Sequence, residues 1–176
     1  IKKVPAHTVF VLPNNKNIVM AAQQCVGLTE KQVIVVPTHS IPQGISAMMS
    51  VDTAEEDPQA ILAAMTEAAA AVTTAQITYA ARNSDFDGFA INEGDYLALL
   101  DGKLFGTERD ITSLLTRLAA LAAEREAAFV TLFYGEGVSQ EEAEAAQALF
   151  TEACPETEIS LLSGGQPVYY YTISIE

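Results

Sequence analysis

Short apolar runs alternate with helix-forming segments in the first third of the chain. Residues 9–12 read Val-Phe-Val-Leu, residues 33–36 read Val-Ile-Val-Val, and each run stops at a proline, Pro13 or Pro37. β-Branched runs of this length predict buried strands. The polar residues after each proline can cap a following helix. This order predicts a parallel βαβ unit with a right-handed crossover.

Two further helices are predicted before residue 73. The first spans residues 40–51, and its apolar face carries Ile45, Met48 and Met49. An acidic segment at residues 52–58 leads to the second, which is rich in alanine and therefore favours helix strongly. Its apolar positions recur at helical spacing: Ile61, Leu62, Met65, Ala68, Ala69 and Val72. Residues 1–72 are thus predicted to form an N-terminal βαβα lobe.

From residue 73 onward the period of the apolar positions changes to two. Ala75, Ile77, Tyr79 and Ala81 alternate with Gln76, Thr78 and Ala80, a pattern typical of a half-buried strand. Strands are also predicted near residues 88–91 and 96–100, and Asp101–Gly102 predicts a hairpin turn into residues 103–105. This middle part is therefore expected to be antiparallel.

The last third returns to alternating helices and strands. Ser139-Gln140-Glu141-Glu142 is a capping box that opens a helix. The other predicted elements are a helix at 111–121, strands at 129–134 and 158–162, a turn at 163–167 and a final strand at 168–175. The predicted fold class is α/β: a parallel βαβ N-terminal part, then a mixed sheet with an antiparallel hairpin and packed helices. Residues 73–176 form its mixed α/β lobe, within one compact domain.

Charge and composition restrict the function classes. The chain of 176 residues has a formal charge of −14, a field that repels nucleic-acid phosphates and favours a basic partner surface. In the alternative interpretation, the acidic residues only keep the protein soluble. It contains no apolar run long enough to span a membrane and no signal-peptide pattern, which favours a cytoplasmic protein. Because the chain starts with Ile1, close to its first predicted strand, we expect it to be part of a longer protein.

The sequence offers little for catalysis or metal binding. No glycine-rich phosphate loop follows any predicted strand. Cys25 and Cys154 lack the spacing of a zinc site and are expected to be buried small hydrophobes. His39 and Ser40 are adjacent, but no nucleophile elbow accompanies them. We predict no catalytic residue and no metal ligand.

Polar residues cluster instead in the two loops that follow the first two strands. Such loops lie at the carboxyl ends of parallel strands, where ligands usually bind in α/β sheets. Free amides at the two helix N-termini attract a carboxylate or a phosphate. In the alternative interpretation, these residues only cap helices and fix the loops. The candidate ligand- or partner-binding residues are Asn14, Asn15, Lys16, Thr38, His39, Ser40 and Gln43.

Four separated motifs then indicate a family. They are Leu-Pro-Asn-Asn-Lys-Asn-Ile at 12–18, Val-Val-Pro-Thr at 35–38 with Ser-Ile-Pro-Gln-Gly at 40–44, Tyr-Ala-Ala-Arg-Asn-Ser at 79–84 and Gly-Gly-Gln-Pro-Val-Tyr at 164–169. In their order and spacing they resemble the carboxy-terminal domain of FakA, the dihydroxyacetone-kinase-like subunit of fatty acid kinase. The resemblance covers nearly the whole chain.

This resemblance implies a DegV-like fold and a bacterial parent protein that is an ATP-dependent kinase. ATP and magnesium would be held by an upstream domain, so no cofactor is expected in this part. The implied role is to dock an acyl-binding DegV-like partner, whose fatty acid carboxylate becomes phosphorylated, and a homodimer is a further possibility. Two alternatives stay open: a module that itself binds a fatty acid or a small phosphorylated ligand, and an independent enzyme such as a hydrolase.

Overall fold

The computed structural model describes residues 1–86 and 89–176, and for residues 84–86 and 89–90 it describes the backbone alone. The chain divides into two compact units, residues 1–72 and residues 73–176. We call them unit 1 and unit 2. The strand predicted near residues 88–91 lies partly outside the described residues.

Unit 1 is a small parallel α/β arrangement. Its two strands pair in parallel, with Thr8 opposite Gln32 and Val11 opposite Val35. The connection between them is a helix followed by one 3₁₀ turn, as a βαβ crossover requires. The elements of unit 1 are β1 (Thr8–Val11), α1 (Lys16–Cys25), the 3₁₀ turn (Val26–Leu28), β2 (Gln32–Val35), α2 (Ile41–Met49) and α3 (Pro58–Ala71).

The core of unit 1 lies between α2, α3 and the end of β2. It consists of the buried residues Val36, Ala47, Met65 and Ala69, with Leu12, Val51 and Ile61 among the apolar side chains packed around them. Asp57 caps α3 by accepting a hydrogen bond from the Gln59 N–H at 3.0 Å, and Pro58 starts the helix. By contrast, α1 buries none of its residues.

Unit 2 is built on a six-stranded mixed sheet with two helices. The strand order is β7-β6-β3-β10-β8-β9, and β4 and β5 form a separate two-stranded hairpin. The elements are β3 (Thr73–Tyr79), β4 (Ser84–Phe86), β5 (Phe89–Ile91), β6 (Tyr96–Leu100), β7 (Lys103–Glu108), α4 (Ile111–Glu124), β8 (Phe129–Tyr134), α5 (Gln140–Ala153), β9 (Glu158–Ser163) and β10 (Tyr171–Ile175).

The last strand of the chain, β10, lies in the middle of this sheet. β10 runs antiparallel to both β3 and β8, and β8 pairs in parallel with β9. All five residues of β10 are buried. Helices α4 and α5 supply fully buried side chains to the same core, among them Leu114, Leu118 and Phe150. The predicted α/β class, the parallel N-terminal part and the mixed sheet with its antiparallel hairpin are confirmed.

Three local predictions were wrong. β3 ends at Tyr79 rather than at Ala81, because the Ala80 N–H bonds to the Asp95 carbonyl in the turn before β6. The final strand starts at Tyr171 rather than at Val168, whose φ of +72° is incompatible with a strand. Cys25 is exposed, since α1 packs none of its face into the core, whereas Cys154 is buried as predicted.

Candidate functional site

An apolar groove lies in unit 1, beside the loops at the carboxyl ends of β1 and β2. It has a volume of about 760 Å³ and is wide open to solvent. The first turns of α1 and α2 meet at it, because each helix follows one of the two parallel strands. Its apolar lining includes Leu12, Ile18, Ile41, Ile45, Met48 and Met49.

Several apolar side chains that line the groove are exposed to solvent. Ile18 is 48% exposed, Met48 is 57% exposed and Met49 is 82% exposed. Contiguous exposed apolar patches usually mark binding surfaces. Methionine is suited to such surfaces, because its unbranched, polarisable side chain adapts to the shape of what it contacts.

Most polar groups of the two loops are engaged within the loops themselves. Thr38 is completely buried, and its hydroxyl donates to the Pro13 carbonyl at 2.6 Å, which joins the two loops. Ser40 Oγ accepts from the Gln43 N–H at 3.3 Å and caps α2. The Gln43 side-chain oxygen accepts from the His39 N–H at 2.7 Å, and Asn15 caps α1 by accepting from the Asn17 N–H at 2.9 Å.

The structure thus brings all seven predicted residues to one end of the unit 1 sheet. Asn14, Lys16 and His39 are exposed there, and Asn14 lines the groove. Thr38 is inaccessible, so its contribution is to hold the loops together. Binding of a ligand or a partner by these residues stays a prediction.

The apolar lining is the part of the site that the sequence analysis missed. Its signal was present, since Ile45, Met48 and Met49 recur at helical spacing, but the same spacing also describes a helix face packed on a core. The buried residues of α2 are instead Pro42 and Ala47. The available indication of a surface site was the width of this apolar stripe, which is more than one neighbouring helix can cover.

Residues 1–86 and 89–176 contain no group of three or more His, Cys, Asp or Glu side chains placed to hold a metal ion. Within the same residues, each helix is too short or too polar to cross a bilayer.

Comparison with known proteins decides the family. The sequence model of the FakA-like C-terminal family, which describes the carboxy-terminal domain of FakA-like subunits of fatty acid kinase, matches residues 1–176. The chain belongs to this family. Its curated relatives include protein YloV of Bacillus subtilis, to which this FakA-like domain is 38% identical over its whole length. The domain spans about a third of YloV, 32% of that protein's length.

Solved structures of the DegV family share the fold of this FakA-like domain. A DegV family protein from Corynebacterium glutamicum aligns with a TM-score of 0.70 at 16% identity, over 96% of this chain and 74% of its own. The fatty acid kinase B3 protein of Streptococcus pneumoniae, solved with linoleic acid, aligns with a TM-score of 0.65 at 9% identity, over 98% of this chain and 73% of its own. The predicted DegV-like fold is confirmed.

Proposed function

We propose that this domain is the non-catalytic carboxy-terminal part of a bacterial fatty acid kinase, and that it docks an acyl-binding DegV-like partner. The partner would present its fatty acid carboxylate to ATP and magnesium held by a domain upstream of this one. Membership of the FakA-like C-terminal family over the whole chain carries the proposal. An ATP-dependent role also fits a cytoplasmic location.

The shape of the groove favours a protein over a lipid as its occupant. Small-molecule sites typically enclose 70–90% of the ligand surface. Here Met49 is 82% exposed and the groove is open to solvent, so an acyl chain lying in it would stay largely in water. A protein surface laid across the groove would exclude that water and bury Ile18, Met48 and Met49 together.

The polar groups at the groove lead to the same conclusion. A bound carboxylate needs several donors directed at it. Thr38 donates to Pro13, and the His39 N–H donates to Gln43. The exposed side chains of Asn14, Lys16 and His39 instead suit the polar rim of a protein interface, which surrounds an apolar centre.

The test is a calorimetric titration of the chain with an acyl-loaded DegV-like protein from the same organism. We expect saturable binding, and we expect Met49→Asp to weaken it at least about tenfold, since it places a charge at the centre of a desolvated apolar contact. Met20→Asp is the matched control, because Met20 is 69% exposed in the same unit but does not line the groove. Absence of saturable binding by the wild-type chain would refute the docking role.

A second candidate function is binding of a fatty acid, or of a small phosphorylated ligand, by this domain itself. The apolar lining and a volume of about 760 Å³, within the range of small-molecule sites, favour it. Mass spectrometry of an organic extract of the purified chain separates the two functions. A stoichiometric fatty acid in the extract supports the binder, whereas an empty extract with saturable partner binding supports docking. Phosphorylation of a fatty acid by this chain alone would contradict both.

A further inference from the structure

Two of the four family motifs lie outside unit 1 and have no part in the proposed groove. These are the motifs at residues 79–84 and 164–169. At one end of the unit 2 sheet, the structure places the second of these motifs against the end of β3, where the first motif begins. The Thr78 hydroxyl donates to the Val168 carbonyl at 2.9 Å, and the Tyr170 N–H donates to the Ile77 carbonyl at 2.8 Å. The second motif therefore lies directly beside the end of β3.

The junction carries a strained turn. Val168 has a φ of +72°, and the Tyr169 N–H donates to the Pro167 carbonyl at 2.8 Å, which together define a γ-turn centred on a β-branched residue. Such backbone is rare and persists only where the surrounding structure enforces it, most often at functional sites. The turn places Val168 at the surface, 63% exposed.

Aromatic rings lie beside this turn. Tyr170 packs edge-on against Tyr96, with ring centroids 5.3 Å apart, and against Tyr79 at 6.3 Å. Tyr79 is 49% exposed. A tyrosine held by its neighbours offers contact area at little entropic cost, which is why tyrosines are enriched at binding hot spots. We call Tyr79, Tyr170 and Val168 the tyrosine face.

The charge around the tyrosine face is mainly acidic. Among the described side chains of residues 80–95, Glu93 and Asp95 are acidic and Arg82 is basic. Asp95 and Arg109 lie 3.9 Å apart and compensate each other. Glu93 is exposed on the loop that bonds to Asn83, and Glu136 is exposed where its N–H bonds to the Gln166 carbonyl. A cationic side chain stacked on Tyr79 would therefore meet a favourable field from these acidic side chains.

The chain's own charge argues against a second copy as the occupant. Each copy carries a formal charge of −14, so two acidic faces brought together would repel. We propose that the tyrosine face is a second docking surface, and that it takes a segment of the acyl-binding partner bearing exposed Lys or Arg side chains. The proposal rests on the docking function above and adds the location and the chemistry of a further contact.

The test measures the affinity of the acyl-loaded DegV-like partner for three variants of unit 2. Val168→Gly removes the side chain and leaves a residue that accepts positive φ without steric strain. Tyr79→Ser removes the exposed ring. Leu162→Ser is the control, because Leu162 is 50% exposed in the same unit but lies at the far edge of the sheet, on β9.

We expect Val168→Gly and Tyr79→Ser each to weaken binding about fivefold or more, and Leu162→Ser to change it less than about twofold. Wild-type affinity should fall with added salt, and this dependence should shrink in Tyr79→Ser.

Wild-type affinity in both tyrosine-face variants, together with loss of binding in Met49→Asp, would overturn this proposal and leave the docking function intact. If the wild-type chain did not bind the partner, both this proposal and the docking function would be refuted. A concentration-dependent dimer of the chain that Tyr79→Ser dissociates in sedimentation would make the occupant a second copy, and would also overturn the proposal.

Discussion

The backbone at Gly135 touches the loop that carries the tyrosine face. A Cβ at Gly135 would overlap the Tyr169 carbonyl oxygen and lie 2.7 Å from that of Gln166. Both are backbone atoms, and the Gln166 carbonyl also accepts from the Glu136 N–H, so relief cannot come from a flexible side chain moving aside. We therefore expect Gly135→Ala to reduce the free energy of unfolding by roughly 2–3 kcal/mol in a denaturant titration, as overpacked sites do.

Gly44→Ala is the matched control for this prediction. Gly44 lies inside α2, and a Cβ there would meet nothing within 4 Å. Alanine in a helix interior is favoured over glycine by roughly 0.5–1 kcal/mol, so this variant should be more stable than the wild type. Equal effects of the two substitutions would contradict the close approach at Gly135.

The buried hydroxyl of Thr38 gives a second prediction at the residue scale. Thr38→Val keeps the shape of the side chain but leaves the Pro13 carbonyl without its donor at 2.6 Å. An unsatisfied buried acceptor costs about 1–3 kcal/mol, and we expect a loss of that size in thermal or chemical denaturation. Thr116→Val, which removes an exposed hydroxyl bonded to Thr112 within α4, should change stability by less than about 0.5 kcal/mol.

At the scale of the element, the capping box of α5 makes stability depend on pH. The Ser139 N–H donates to Glu142 at 2.9 Å and the Ser139 hydroxyl donates to it at 2.7 Å, and these bonds lower the pKa of Glu142 below its usual 4.5. A carboxyl whose pKa is lower in the folded state stabilises the fold above its unfolded pKa. That stabilisation is lost as the pH falls through the folded pKa.

We therefore expect the melting temperature of the wild type to fall more steeply below pH 4.5 than that of Glu142→Gln, which can still bond but has no charge to titrate. Glu141→Gln is the control, since Glu141 lies in the same first turn but outside the capping box. Parallel pH profiles for Glu142→Gln and the wild type would show that the capping box does not contribute this dependence.

The capping box also illustrates which elements the sequence predicts well. Ser139, Glu142 and the Asp101–Gly102 turn act over two to four residues, and the structure has the helix and the hairpin where these signals place them. The position of β10 between β3 and β8 depends on pairing between residues about forty to a hundred apart, which no local pattern encodes. Likewise, Val168 interrupts an apolar run that predicts a continuous strand, because its backbone is set by contacts with Thr78.

At the scale of the whole molecule, the sequence predicts which loops form the candidate site, but not which apolar side chains beside them face solvent. The loops after β1 and β2 were predicted to meet, because parallel strands place their carboxyl ends together, and the buried Thr38 joins them. Periodicity could not tell that Met48 and Met49 face solvent, since the same spacing describes a helix face packed on a core. Exposure depends on which elements are available to cover a face, and this is a property of the assembled unit.

The separation of the two cores predicts how the chain unfolds. The core cluster of unit 1 has four buried residues, whereas that of unit 2 includes Leu114, Leu118, Phe150 and most of β10. A small core gives little stability, so we expect unit 1 to unfold at a lower denaturant concentration than unit 2. Hydrogen exchange followed by mass spectrometry at rising denaturant should show α2 and α3 losing protection before β8 and β10.

Two core substitutions test whether these transitions are separate. Met65→Ala and Leu118→Ala each remove a fully buried side chain, at a cost of about 2–5 kcal/mol. If the cores are independent, Met65→Ala shifts the exchange of α2 and α3 alone, and Leu118→Ala shifts that of the unit 2 sheet. A common shift of all peptides in either variant would mean that the chain unfolds as one cooperative unit, and that a partner bound to unit 1 stabilises unit 2 as well.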